Sequence, residues 1–170
     1  PHLPKSWAAY RGLYCCGNRV VLSYSVGPTH VLESPWFVEA GRHQGFTRSL
    51  EIGPSANHMQ MLVADPKSKM TIVAVDNALP SREESPTRQL DSRAELFQID
   101  EERPVLHVAP HQHTLRVKVL ITKASVTPNA IRALRDAAGQ AEDLSQMITD
   151  DEARYPDVLT TTGTTTESGG

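Results

Sequence analysis

Short runs in which apolar and polar residues alternate dominate the chain, and Gly, Pro, Asn and Asp separate these runs. Such a period-two pattern, rich in β-branched residues, is typical of β-strands. It predicts strands over residues 11–15, 19–26, 30–33, 46–52, 58–64, 70–75, 94–99, 105–109 and 115–122. Because turns at this spacing are typical of sandwiches and barrels, we expect an all-β fold, an antiparallel β-sandwich of about eight to ten short strands.

Two segments interrupt the alternation. Residues 77–93 carry two prolines and charges of both signs, which predicts a long exposed loop. Residues 127–138 instead have helical periodicity, in which Thr127 can cap the helix, Pro128 suits its first turn and Gly139 can end it. The sequence therefore predicts one short C-terminal helix, which we expect to pack on one edge of the sheet.

These changes of pattern divide the chain into three parts. Residues 1–124 form the predicted β-sandwich domain, residues 125–148 the C-terminal helical segment, and residues 149–170 a polar linker or tail toward a missing downstream domain. The tail is rich in Thr, Ser and Gly and has little apolar surface to bury. Since the first residue is Pro and no signal-peptide pattern is present, we expect an internal piece or a processed product of a longer protein.

Charge and hydropathy limit the partners of the chain. The formal net charge is -3 and no dense basic cluster occurs, whereas a nucleic-acid surface usually needs one. The longest apolar runs are far too short to cross a bilayer. We therefore expect no nucleic-acid partner and no membrane span.

The only two cysteines, Cys15 and Cys16, directly precede Gly17 and Asn18. Neighbouring strand residues point to opposite faces, and the spaced ligands of zinc or haem sites do not occur here. A vicinal disulfide stays open as an alternative in an oxidising compartment. The pattern favours the shoulder of a hairpin turn, and we expect the thiols to be unpaired and dispensable for function.

Three histidines are candidate metal ligands: His107, His111 and His113. A His-x-His pair on a strand can present two imidazoles on one face. Against this, Pro110 marks a hairpin connection, in which polar residues are simply solvated, and no Asp or Glu completes a ligand set in the segment. We favour the solvated interpretation and keep the metal site as an alternative.

Trp36 and Phe37 are candidate ligand-binding residues, because an exposed aromatic platform suits a sugar ring. Aromatic side chains bury large areas, so core packing is the alternative, and we favour it for most of the aromatic residues. For Trp7 we expect a role in fastening the N-terminal segment to the sandwich.

No pattern in the chain predicts a catalytic residue or a cofactor. The carboxylate pairs Glu83-Glu84 and Glu101-Glu102 and the acidic residues 150–152 have charged neighbours in polar loops, which favours solvation over acid–base chemistry. Neither a Gly-x-Ser-x-Gly elbow nor a glycine-rich phosphate loop occurs. We therefore expect a fragment without catalytic activity rather than an enzyme.

Several stretches together resemble one family, namely residues 7–14, 17–27, 31–35, 46–52 and 153–163. They are similar to a β-rich domain of unknown function in large exported bacterial multidomain proteins. These proteins also carry a β-propeller resembling sugar dehydrogenases and c-type cytochrome or haem-binding domains. The chain departs from the family at Cys15 and Cys16, where a polar or basic residue is usual. The resemblance implies an extracytoplasmic location, and any redox activity would belong to segments outside these residues.

Three functional hypotheses follow. The first is a non-catalytic scaffold or docking module of an exported multidomain protein, whose partners are other domains or chains of the same parent. That parent would be a propeller- and cytochrome-containing oxidoreductase if the resemblance holds. The second is a carbohydrate-binding module that uses Trp36 and Phe37 and takes a glycan as its partner. The third is a metal-dependent enzyme site around His107, His111 and His113, which requires a pocket that gathers them beside a carboxylate.

Overall fold

The alternating pattern folds into antiparallel strands, as a computed structural model describes for residues 6–65, 67, 70–76, 97–100 and 104–149. The strands of this part of the chain are β1 (Ala8–Cys16), β2 (Arg19–Val26), β3 (Thr29–Ala40), β4 (His43–Ile52), β5 (Met59–Leu62), β6 (Met70–Asp76), β7 (Phe97–Asp100), β8 (Val105–Val108) and β9 (Leu115–Lys123). Two helices follow, α1 (Pro128–Ala138) and α2 (Leu144–Thr149).

Two antiparallel sheets form from these strands. The large sheet has the order β1-β2-β3-β4-β9-β6 and the small sheet the order β5-β8-β7. The inner face of the large sheet packs against the small sheet around one apolar cluster, in which Leu50 and Val117 of the large sheet meet Leu106 and Val108 of the small one. The predicted all-β sandwich is confirmed, with nine strands among the described residues.

The third strand is much longer than predicted and runs through Pro35. Its pairing with β2 ends at Glu33, whereas its pairing with β4 continues to Ala40. Beyond Glu33 no strand of the described residues is paired with this side of β3, and a proline that cannot donate a hydrogen bond is tolerated at such an unpaired position. The predicted break after residue 33 is wrong for this reason.

The opposite face of the large sheet, called here the helical face, is covered by α1 and α2. Leu134 of α1 is fully buried against Val38 and Leu120, so the helix packs on the face of the sheet. The prediction that it packs on one edge of the sheet is wrong. The predicted ends of α1 are confirmed. At the start, the Thr127 side chain accepts a hydrogen bond from the Ala130 N–H. At the end, Gly139 has a φ of 66° and its N–H donates a hydrogen bond to the Arg135 carbonyl.

The short helix α2 was not predicted. Its six residues are too few for a recognisable periodicity, and they are held by Leu144, which packs with Val21 and Leu32 on the helical face. None of the helices in the described ranges is long and apolar enough to span a membrane. The predicted loop 77–93 and residues 150–170 of the predicted tail lie outside the described residues.

Candidate functional site

The hairpin of β1 and β2 contains both cysteines. Cys16 pairs with Arg19 across a two-residue turn, in which Gly17 takes a φ of 63° that favours glycine. Cys16 Sγ contacts the Met147 carbonyl of α2 at 3.3 Å, and no disulfide joins it to Cys15, which pairs with Val20. The thiols lie on opposite faces of β1, so the hairpin does not bring them together.

His111 is buried between two loops. Its Nδ1 lies 2.8 Å from the Ala109 carbonyl oxygen and its Nε2 lies 2.9 Å from the Gly53 carbonyl oxygen. The backbone of His111 also exchanges two hydrogen bonds with Ser55. A neutral imidazole carries one N–H and donates to one of these carbonyls at a time. His111 therefore ties the loops together, and the expectation that it is simply solvated is wrong.

The other two histidines do not join it. His107 is half-buried on β8, where its backbone pairs with Gln60 and Gln98, and His113 is exposed. Among the described residues, no group of three or more His, Cys, Asp or Glu side chains could hold a metal ion. The structure thus places the three candidate ligands in three different environments.

Trp36 and Phe37 lie on opposite faces of the large sheet. Trp36 is half-buried on the helical face, where the Arg19 guanidinium carbon lies 3.9 Å from its ring centroid in a cation–π contact. Phe37 lies on the inner face, directly across from Phe46 on β4, and the two rings meet edge to face at 5.4 Å. One flat platform made of Trp36 and Phe37 therefore does not form.

Phe37, Phe46 and Met70 form an exposed cluster that we call the aromatic patch. Their exposed fractions are 42 %, 58 % and 42 %. They lie on the inner face of β3, β4 and β6, at the end where the apolar contacts with the small sheet stop. Such a group of neighbouring apolar side chains is typical of an interaction surface.

Most of the described aromatic residues are more exposed than we expected. Trp7, directly before the edge strand β1, is 62 % exposed, and Tyr10, on β1, is 71 % exposed. The Trp7 carbonyl accepts a 2.9 Å hydrogen bond from Gly27 N, which fastens this segment to the β2–β3 turn through its backbone while the indole faces outward. The prediction of core packing for most aromatic side chains is wrong.

Trp7 borders an open cleft. We call it the Trp7 cleft, and its volume is about 510 Å³. Ser6 and Trp7 before β1, the β2–β3 turn at Pro28 and the segment from Ser55 to Gln60 form its walls. Ligand sites commonly have volumes of about 300–1,000 Å³.

A buried lysine organises the helical face. Lys118 on β9 is 1 % exposed, and its ammonium group donates to the carbonyls of Ala138 and Gln140 and to Glu142 Oε1, at 2.6–2.8 Å. These three acceptors use all three protons of the ammonium group. Since they lie at the last residue of α1 and in the connection that follows it, Lys118 fixes the path of this connection over the sheet.

Glu142 gathers partners from three strands. Besides Lys118, it accepts hydrogen bonds from Arg19 of β2 and Ser49 of β4. Burial alone would raise the pKa of Glu142, but the hydrogen bonds from Lys118 and Ser49 outweigh it and hold this pKa below its ordinary value. The carboxylate therefore stays charged and does not suit a general acid.

Glu51 performs a similar role for α2. Its carboxylate accepts from the backbone N–H groups of Leu144 and Ser145 and from the Ser145 hydroxyl, and it pairs with Arg116 at 3.3 Å. A residue of β4 thus caps a helix that lies 93 positions further along the chain.

On the inner face, Arg48 links the two sheets. It donates to Glu33 Oε1 at 2.7 Å and to the carbonyls of Leu62 and Val63 beside the small sheet. Tyr24 donates to the other oxygen of Glu33. Burial, with the charge of Glu33, raises the pKa of the Tyr24 phenol above its ordinary value, so this hydroxyl remains protonated.

These polar groups were not recognised from the sequence. Lys118 interrupts the apolar run 117–121, and on a strand with alternating faces it lies on the side opposite Val117 and Val119. That interruption is the signal that could have identified it. The carboxylate pairs at residues 83–84 and 101–102 and the acidic residues 150–152 lie outside the described residues.

Comparison with known proteins connects one part of the chain to a family. A family described as a domain of unknown function (DUF6797) matches residues 1–33, which include β1, β2 and the beginning of β3. No curated protein and no solved structure matches the chain. This match supports the resemblance to a domain of unknown function, and it does so for residues 1–33.

Proposed function

We propose that the chain is a non-catalytic β-sandwich module that docks a neighbouring domain of a longer, exported protein through the aromatic patch. The observation that carries this proposal is the exposure of Phe37, Phe46 and Met70 on one face of the large sheet. Full burial of an exposed side chain of this size contributes roughly 1.5–3 kcal/mol. The three side chains are about half exposed, so a neighbouring domain that covers them would gain only part of this amount from each.

The surroundings of the patch support a rigid docking platform. Phe37 and Phe46 lie on the hairpin of β3 and β4, and β4 is paired on its other side with β9 over Phe46–Ile52. Their edge-to-face contact restricts both rings before any partner arrives. An ordered apolar surface loses less conformational entropy on binding than a flexible one.

The resemblance stated above suggests which partner to expect. We propose that the parent protein is extracytoplasmic, that the partner is another of its domains, and that a propeller or cytochrome domain of an oxidoreductase fills this role. No cofactor is proposed for this chain itself. The polar clusters around Glu142 and Glu51 then serve to keep the helical layer on the sheet, away from the docking surface.

Hydroxyl-radical footprinting tests the proposal, because Met and Phe side chains oxidise readily when exposed. The isolated chain and the longer protein would be oxidised under the same conditions and compared by mass spectrometry. We expect oxidation of Met70 and Phe46 to fall several-fold in the longer protein, while the exposed Leu62 serves as an internal reference on the small sheet. Equal oxidation of the aromatic patch in both proteins would refute the docking role.

A substitution provides the complementary measurement. Replacement Phe46→Ser should weaken the association of the separately produced neighbouring domain by at least about tenfold, since exposed aromatic anchors dominate interfaces. Tyr10→Ser is the matched control, because Tyr10 is also an exposed aromatic residue but lies on β1, outside the aromatic patch. Similar effects of the two replacements would argue against the patch as the specific contact.

A further inference from the structure

We propose that the Trp7 cleft binds a neutral saccharide. This inference concerns a surface different from the aromatic patch and does not depend on the docking role. Trp7 lies before β1 and borders the cleft together with the β2–β3 turn and the segment before β5. The cleft therefore lies at the end of the strands, where three separate pieces of chain meet.

The first argument is the exposure of the indole. A tryptophan that is 62 % exposed leaves a large apolar surface in water, although its backbone is fixed by the hydrogen bond from Gly27. The ring is thus presented from an anchored position. A pyranose ring carries C–H groups on one face that stack on an indole, and this contact would remove the apolar surface from water.

The second argument is the neutrality of the cleft. None of the described residues that line it is Asp, Glu, Lys or Arg, although these residues make up 22 % of the chain. A phosphate or a carboxylate would find no Lys or Arg side chain among these described residues to pair with. The lining therefore favours a ligand that is polar but uncharged.

The third argument is the supply of hydrogen bonds. Asn57, His58 and Gln60 line the cleft with exposed side chains, and no hydrogen bond to another described residue engages the amide or imidazole groups of these three. A planar amide offers a donor and an acceptor side by side, which matches two neighbouring hydroxyl groups of a sugar. An aromatic face beside such amides thus supplies both kinds of contact that a saccharide needs.

The wall that carries these groups is held in place. Ser55 is buried, its hydroxyl donates to the Asn57 carbonyl, and its backbone is paired with His111. Thr29 Oγ1 reaches the Pro54 carbonyl at 3.3 Å and connects this wall to the β2–β3 turn. A cleft that is formed before binding spends little free energy on ordering its walls.

Affinity electrophoresis in native gels tests the inference with four neutral polysaccharides, namely hydroxyethyl cellulose, xylan, galactomannan and laminarin, and with alginate as a charged comparison. We expect at least one neutral polysaccharide to retard the chain and alginate to leave it unaffected. Trp7→Ala should weaken the retardation at least about tenfold, as expected when a central aromatic contact is lost. Tyr14→Ala is the matched control, because it removes another exposed aromatic ring of the same region, at the opposite end of β1 near the hairpin turn, and should preserve binding.

A second variant guards against a folding defect in Trp7→Ala. The double replacement Asn57→Ala and Gln60→Ala changes only exposed side chains and should also weaken binding while the circular dichroism spectrum stays unchanged. The inference is overturned if no neutral polysaccharide binds, if alginate binds as well as they do, or if Tyr14→Ala has the larger effect.

Discussion

Lys118 Nζ lies 2.8 Å from Glu142 Oε1 beneath the connection of the two helices, with the lysine side chain 1 % and the glutamate side chain 21 % exposed. A buried charge is costly unless all of its hydrogen-bonding groups are paired. Here the pair is completed by two carbonyls on the lysine side and by Arg19 and Ser49 on the glutamate side. The helical layer is thus attached to the sheet by a polar cluster as well as by apolar packing.

Replacement Lys118→Met should destabilise the fold by about 3 kcal/mol, because it leaves Glu142 and two carbonyls without their main partner. Urea denaturation followed by circular dichroism measures this loss. Lys123→Met, at the exposed end of the same strand, is the matched control and should change the stability by less than about 0.5 kcal/mol. Equal stability of the two variants would show that the buried cluster contributes nothing.

Stability should fall in acid because of Glu142. Its pKa in the folded state lies below the ordinary value of 4.5, so the unfolded chain takes up the proton first as the pH falls. The stabilisation by the carboxylate is therefore complete well above pH 4.5 and is lost as the pH falls below it toward the folded-state pKa. Urea midpoints measured between neutral and acidic pH should fall less steeply in Glu142→Gln than in the wild type. Glu39→Gln, at an exposed position, should keep the wild-type slope.

The helix α2 should depend on Glu51. Glu51→Ala removes the acceptor of the first backbone N–H groups of the helix, and a lost cap costs about 1–2 kcal/mol. Amide hydrogen exchange in residues 144–149 should accelerate in this variant more than exchange in α1. In Glu51→Gln one side-chain oxygen remains as an acceptor, so a smaller acceleration is expected. Unchanged exchange in both variants would contradict the capping role.

The two histidines of the His-x-His pair should behave differently. His111→Ala leaves the carbonyl group to which the imidazole donates without this donor and should cost about 1–3 kcal/mol, whereas His113→Ala should be nearly neutral because that side chain is exposed. Thermal unfolding measures both effects. Added Zn²⁺ should leave the melting temperature of the wild type unchanged. A zinc-dependent increase that disappears in both variants would revive the metal site.

Local sequence patterns were sufficient to predict which segments form strands and which segment forms α1. The alternation over residues 19–26 and the Thr127, Pro128 and Gly139 signals of α1 act within a few residues, so their structural effect can be read directly. Trp36 and Phe37 show where this reasoning ends. Alternation separates two neighbouring strand residues onto opposite faces, and this alone argues against a shared platform. Which of the two is covered depends on where the helices and the small sheet lie.

The all-β class, the approximate positions of most strands, the Gly17–Asn18 turn and the capped helix α1 follow from preferences of neighbouring residues and can be predicted from the sequence. The contact of Lys118 with Glu142, the capping of α2 by Glu51 and the position of His111 between two loops follow only from the folded structure. It also decided that Trp7 and Phe46 remain exposed. These features depend on contacts between residues far apart in the chain, and their free energy is set by which surfaces the packed layers cover.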